Sequence, residues 1–400
     1  MRERKLSHKK LVLAIFFHQP YNRNRQGVTA LADLFDYLHW RGDLSFSAVP
    51  LGPVDALIFS NLAYLHYDGI VAGDLQSPVT LQEAAAAFLL LSDTENRVRT
   101  KTDLSLLRRA AEAPRFRNVK LAFYRSIFIP EEETQFAAVA FLLEDGSAFL
   151  AFRGTDYSLV GWKEDFNMSF LDSVPAQREA AAYTVSFGAA FIGPLILGGH
   201  SKGGNLAVYA GSQMPLGIQN RIRTVYNLDG PGFTEALMGS AGYLQLGPRI
   251  HTYIPESSII GILLEHEEPY TVIKSRQISI LQHELYSWEI ARDGFVHLDE
   301  ISSGSRFADR TIKNWISGMT PQERGEFVDA LFSLLSAGGA SQVWDLLHPK
   351  SILAFLRTLR KDEKTKKLLS GEMTELLKAA SETISQLRKK RNSHQEQTVL

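Results

Sequence analysis

One hydroxyl nucleophile stands at the centre of a Gly-x-Ser-x-Gly spacing, Gly199-His200-Ser201-Lys202-Gly203, after the apolar run Leu195-Ile196-Leu197 and before the helix-compatible Asn205-Leu206-Ala207-Val208. Strand, tight turn and helix in that order read as a nucleophile elbow. The spacing has a steric cause: a serine on such a strained turn projects its hydroxyl only if the residues two before and two after lack side chains that would strike the neighbouring backbone. The plainer reading is a glycine-rich loop with Ser201 as a helix N-cap.

A serine nucleophile needs a base within hydrogen-bond reach, an acid that orients the base, and donors for the oxyanion. Asp229 is one candidate acid, placed after an apolar strand and before the rigid Gly230-Pro231-Gly232 turn. It also suits a plain Asp-Gly turn. Glu256, after Ile254-Pro255, ends the next strand and is the alternative acid. Four histidines lie downstream within the core, His251, His266, His283 and His297. His251 falls inside a strand, and carboxylates flank His266 in Glu265-His266-Glu267-Glu268, which favours its charged form and makes it a poor base. His283 ends the apolar run Ile278-Ser279-Ile280-Leu281 and is the expected base, with His297 as the alternative. For the oxyanion, the backbone N–H of Lys202 and the N–H and hydroxyl of Thr155, in Arg153-Gly154-Thr155-Asp156, are the candidate donors. Thr155 or Asp156 could equally cap a helix near Trp162. The chain order Ser201, Asp229, His283 is one that such sites use.

These residues need a sheet to hold them. Helical spacing covers residues 29–47, 53–65 and 79–113, after which the apolar period shortens. Runs at 119–125, 135–143 and 147–153 read as strands, the last two joined through Asp145-Gly146 as an antiparallel hairpin. Strand, helix and strand over 195–228 form a βαβ unit, which makes the middle of the sheet parallel. Further strands are expected at 250–254, 271–273 and 278–281. Catalytic groups of such a sheet gather at the carboxyl ends of its strands. Beyond Thr320-Pro321 only helical spacing remains.

The balance of 43 basic against 44 acidic residues leaves a net charge of -1, so no global field draws the chain to nucleic acid or an anionic membrane. Arg388-Lys389-Lys390-Arg391 reads as a solvated helix end. With no cysteine, disulfides and thiolate metal sites are excluded, which suits a reducing cytoplasm. No run approaches the ~18 apolar residues of a membrane span. The basic and apolar start, Arg2 to Phe17, lacks a small-residue cleavage site and reads as an extension rather than a secretory signal.

Ala151-Phe152-Arg153-Gly154-Thr155-Asp156 with Trp162 and Asp165, followed by Gly199-His200-Ser201-Lys202-Gly203-Gly204-Asn205-Leu206-Ala207, resembles the signatures of class 3 (fungal-type) lipases. That resemblance implies that Thr155 supplies the oxyanion hole. Asn227-Leu228-Asp229-Gly230-Pro231 is similar to the acid-bearing turn of pancreatic-type lipases. The run from Asp36-Tyr37-Leu38-His39-Trp40-Arg41-Gly42-Asp43 to Gln282-His283-Glu284-Leu285-Tyr286-Ser287-Trp288 resembles a bacterial lipase-like α/β-hydrolase family, over residues 30–320. Two departures stand out. Where class 3 lipases carry their acid, after the second strand beyond the elbow, this chain has Glu256-Ser257-Ser258, and Lys202 is polar beside a lipid site. No long hydrophobic lid is visible.

The expected architecture is an α/β-hydrolase fold: a mixed, mostly parallel sheet, an N-terminal helical layer and a C-terminal helical appendix. Residues 1–28 are expected as a disordered extension, 29–318 as the hydrolase domain, 319–391 as a helical region and 392–400 as a disordered tail. The expected activity is cofactor- and metal-free hydrolysis of a small-molecule ester or lipid through an acyl-enzyme. Two other readings use the same chain: a silent hydrolase fold whose C-terminal helices dock a protein, and an amidase or peptidase with the same triad. Oligomeric state and acyl-chain length leave no signature in these residues.

Overall fold

The computed structural model describes residues 32–336, apart from 157, 169, 259, 262, 263, 265 and 267, together with 357 and 371. The expected extension at 1–28, most of the helical region 319–391 and the tail 392–400 lie outside the described residues.

Alternation decides which side of the sheet each residue serves. Phe149 and Ala151 of β4 (Ala148–Phe152), Ile196 of β5 (Leu195–His200) and Tyr226 and Leu228 of β6 (Ile222–Leu228) enter one core. Ala148, Leu150, Phe152, Leu195, Leu197 and Val225 enter the other. Strands buried on both faces read as unbroken apolar runs, the pattern of a parallel sheet covered by helices on each side. The remaining strands are β1 (Val79–Thr80), β2 (Lys120–Ile129), β3 (Thr134–Leu142), β7 (Ile250–Pro255), β8 (Tyr270–Ile273), β9 (Ile290–Ala291), β10 (Gly294–Phe295) and β11 (His297–Leu298). Nine of them form one sheet in the order β1-β2-β3-β4-β5-β6-β7-β8-β11. Pairing is antiparallel from β1 to β4, parallel from β4 to β8, and antiparallel again at β11. This mixed, helix-covered sheet with an elbow at the end of β5 is an α/β-hydrolase fold.

One face is covered by α6 (Pro175–Ala190) and α7 (Lys202–Ser212). The other carries α1 (Leu34–Arg41), α2 (Pro53–Leu62), α3 (Leu81–Leu89) and α4 (Lys101–Glu112), with α2 buried along its length from Val54 to Leu62. Asp55 caps the start of α2 by accepting from Gly52 N–H at 2.9 Å. It also meets the Arg115 guanidinium at 2.8 and 2.6 Å and the Tyr37 hydroxyl at 2.9 Å, with both charged side chains fully buried. Arg115 further donates to the carbonyls of Leu44 and Val49 at 2.8 and 3.0 Å, so one ion pair ties the loop 42–52 to two helices. Removing one partner of a buried pair strands the other charge. Asp55→Ala is therefore expected to cost about 3–5 kcal/mol in urea unfolding, and a loss under about 1 kcal/mol would show that the pair is dispensable.

After β4 comes α5 (Leu159–Asn167), on which α9 (Pro321–Ser336) packs through Leu159, Val328 and Phe332 and through Lys163–Asp329 at 2.7 Å. Between α8 (Ser303–Ser317) and α9 the chain turns at residues 318–320.

The strand expected at 278–281 is not one. Residues Ser279–His283 form a 3-10 turn, with Ile278 and Leu281 exposed. Gln282 explains the change: its Oε1 accepts from Ser257 N–H at 2.7 Å, its Nε2 donates to Gln277 O at 2.8 Å, and its own carbonyl accepts from Trp288 Nε1 at 2.9 Å. Polar anchors at both ends curl the segment where a strand would need a neighbour's ladder.

Candidate active site

Ser201 leaves β5 with φ 58° and ψ −133°, a conformation that an L residue holds only when its surroundings impose it. A Cβ at Gly199 would lie 2.4 Å from Gly203 O, and one at Gly203 would lie 2.1 Å from Phe152 O, so both glycines are required by close backbone approach. Ser201 N–H donates to Leu228 O at 3.0 Å, and Gly204 N–H to Ser201 O at 2.9 Å. The hydroxyl is not spent on capping α7, contrary to the N-cap alternative.

Asp229 follows β6 with φ 54° and no solvent exposure. Its N–H donates to Tyr253 O at 2.9 Å. One carboxylate oxygen accepts from the Ser258 hydroxyl at 2.6 Å, and the other meets His283 Nδ1 at 2.6 Å. The carboxylate accepts the Nδ1 proton, so the lone pair of the His283 ring is at Nε2, the form a general base needs.

Of the other candidates, Glu256 follows β7, its N–H donating to Ile273 O at 3.0 Å and its carbonyl accepting from Ser302 N–H at 2.6 Å, while His283 Nδ1 is taken by Asp229. His297 is exposed on the edge strand β11 opposite Ile273, and His251 is exposed on β7 with its ring against Tyr226. His266 faces Glu268 Oε1 at 2.9 Å and Gly261 O at 2.7 Å, so both ring nitrogens are occupied. Burial opposes the charge of Glu268, but hydrogen bonds from His266, Tyr243 and Thr252 outweigh it and lower its pKa.

The Gly154 loop lies directly on the elbow. A Cβ at Gly154 would sit 2.5 Å from His200 O, and one at Gly203 would sit 3.0 Å from Gly154 N. Thr155 and the start of α7 thus flank the same turn. The Thr155 hydroxyl, expected as a free donor, instead donates to Asp165 Oδ2 at 2.5 Å. Burial pushes the Asp165 carboxyl up to about 6, against the Lys202 ammonium and the Thr155 hydrogen bond, which hold it down; Glu164 adds to the rise and His283 opposes it. The Lys202 side chain turns away from the surface, its ammonium fully buried and 2.9 Å from Glu164 Oε2.

Several of these residues carry little sequence signal. Ser258, just beyond the alternative acid Glu256, donates its hydroxyl to Asp229. His200, the variable residue of the elbow, accepts from the Tyr64 hydroxyl at Nδ1 and donates from Nε2 to the His283 carbonyl, both at 2.9 Å. Its ring lies 4.3 Å from that of His283. Burial, then the charges of His283 and Arg99, hold its pKa well below the usual histidine value, so it is neutral at neutral pH and donates from Nε2. The signal available was a polar ring flanking the nucleophile.

Among solved structures, the Rhizomucor miehei lipase in its native propeptide complex is similar at 15% identity, over 41% of this chain and 67% of that one, with TM-score 0.31. A mutant form of MDLA from Penicillium cyclopium is similar at 14% identity, over 62% and 86%, with TM-score 0.37. The M37 lipase is similar at 14% identity, over 69% and 97%, with TM-score 0.35. No curated protein matches the sequence. The Mbeg1-like family model matches residues 110–333, from the end of α4 through every strand of the parallel sheet to α9. That span is more than half of the chain and includes the elbow, Asp229 and His283, and the chain belongs to the Mbeg1-like family.

Proposed function

We propose that this protein is a serine hydrolase of carboxylic esters, acylglycerols and other lipids among them. The observation that carries the reading is the 2.6 Å contact between His283 Nδ1 and the fully buried Asp229, beside an elbow serine with φ 58°. In this scheme Ser201 Oγ attacks the ester carbonyl while His283 Nε2 takes its proton. Asp229 stabilises the resulting imidazolium. The N–H groups of Thr155 and Lys202 receive the oxyanion; the Thr155 hydroxyl, committed to Asp165, orients the loop. His283 then protonates the leaving alcohol, and water repeats the sequence on the acyl-enzyme. The scheme requires no metal or cofactor. No described helix is long and apolar enough to cross a membrane. A cytoplasmic setting is part of the proposal, and a chain without cysteine suits it.

The test is a fluorophosphonate probe on the full chain with the adduct mapped by mass spectrometry. Labelling on the Ser201 peptide is expected, and an unlabelled protein would overturn the reading. Steady-state hydrolysis of a soluble ester checks His200. His200→Phe removes the donor to the His283 carbonyl, and a displacement near 1 Å costs about 10²-fold in rate. Substrate KM should hold while kcat falls, with partial rescue in His200→Gln. A wild-type kcat in His200→Phe would show that the His283 turn needs no such support.

A further inference from the structure

Lys202 and Glu164 have fully buried side chains, and their 2.9 Å ion pair lies directly beneath the elbow. Taking two charges out of water costs several kcal/mol per ion, and apolar residues of similar size often pack at least as well. What such a pair holds in place is therefore more informative than its own stability. The ammonium also donates to Gln135 O and Oε1 at 2.9 and 2.8 Å on β3. Glu164 Oε1 accepts from Ala176 N–H at 2.8 Å and Oε2 from Gln135 N–H at 3.2 Å. The pair thus joins β3, α5, α6 and the elbow. One residue along α5, Asp165 Oδ1 lies 3.9 Å from the same ammonium, is buried and accepts no hydrogen bond, while Oδ2 holds the Thr155 hydroxyl.

We propose that the Lys202 side chain is a positioning group: through Glu164 and Asp165 it fixes the Thr155 loop against the elbow. This deepens the hydrolase reading above and rests on it for the role of Thr155. The groups facing Asp165 are Lys202, Thr155, Glu164 and His283. An ionised Asp165 binds the Thr155 hydroxyl by a charge-assisted bond, stronger than its neutral counterpart. As pH falls through about 6, Asp165 takes up a proton and that assistance is lost. Removing the ammonium leaves burial and Glu164 unopposed by it and moves this titration upward. Removing the Glu164 charge moves it downward.

Lys202→Met and Glu164→Gln, each in the full chain, test this with two readouts. One is the pH dependence of fluorophosphonate labelling; the other is the ¹³C carboxyl titration of Asp165, assigned by its loss in Asp165→Asn. An opposite charge within about 4–6 Å moves a carboxyl by one pH unit or more. Lys202→Met, its Asp165 titration moved from about 6 to about 7, should therefore label about twofold more slowly at pH 7 and recover as pH rises. Glu164→Gln should shift the Asp165 titration the other way. A purely structural role would lower stability without moving either curve. If Lys202→Met does not fold, the isosteric Glu164→Gln still decides by its downward shift. An Asp165 titration unmoved in the folded variants overturns the inference with the hydrolase reading intact. A wild-type chain that the probe does not label overturns the hydrolase reading, and the role assigned to Thr155 with it.

Discussion

Ser201→Ala is expected to abolish fluorophosphonate labelling and to lower ester hydrolysis by a factor on the order of 10⁶, the cost of losing a triad nucleophile. The substitution removes one oxygen from a position that is 8% exposed. Its hydroxyl caps no helix, so the elbow loses no hydrogen bond that supports the fold. Melting within a few degrees of wild type is expected, because changes that break no packing or buried network stay near ±0.5 kcal/mol. The loss should thus fall on chemistry alone. Substantial hydrolysis or labelling in Ser201→Ala, with the adduct on another residue, would move the nucleophile elsewhere in the chain.

Asp229→Asn is expected to lower kcat by about 10⁴-fold, with KM nearly unchanged. In the wild type the carboxylate accepts two hydrogen bonds, from Ser258 at 2.6 Å and from His283 at 2.6 Å. An asparagine carries one acceptor oxygen and one NH2 group. Whichever way it turns, one neighbour meets a donor; with NH2 facing His283, the ring must expose Nδ1 as acceptor and place its proton on Nε2, the wrong tautomer for a base. Glu256→Gln serves as the control, because Asp229 occupies His283 Nδ1. A rate within about twofold of wild type is expected there, the range of a substitution away from the reacting groups. A large loss in Glu256→Gln with activity retained in Asp229→Asn would exchange their roles. The comparison also separates hydrolysis from a silent scaffold, in which neither change would alter anything but stability.

Much of this site was open to reading from composition and spacing. Gly199 and Gly203 reported a backbone approach so close that any Cβ would collide, which is a local requirement visible in five residues. The two-sided burial of β4, β5 and β6 appeared as continuous apolar runs, because residues facing both cores must be apolar. The turn at Asp145-Gly146 announced the β3–β4 hairpin. Ile278 to Leu281 misled, because a short run with three apolar residues in four is compatible with a strand until a neighbour is found to pair with, and Gln282 instead finds partners on either side of a turn.

Local requirements of backbone and burial determined the elbow, the alternation of the strands and the helical layers; these involve residues within a few positions of one another, and the sequence by itself carries them. Relations across long separations were decided only by the tertiary structure. Asp229 and Glu256 both end strands and both carry a carboxylate, but only the course of the 275–288 segment across the sheet brings His283 Nδ1 to one of them. Lys202 meets Glu164 across 38 positions and His200 meets the His283 carbonyl across 83. No local pattern signals such pairs, because a buried charge or ring is stabilised by whichever partner the packed layers deliver, and that delivery belongs to the fold as a whole.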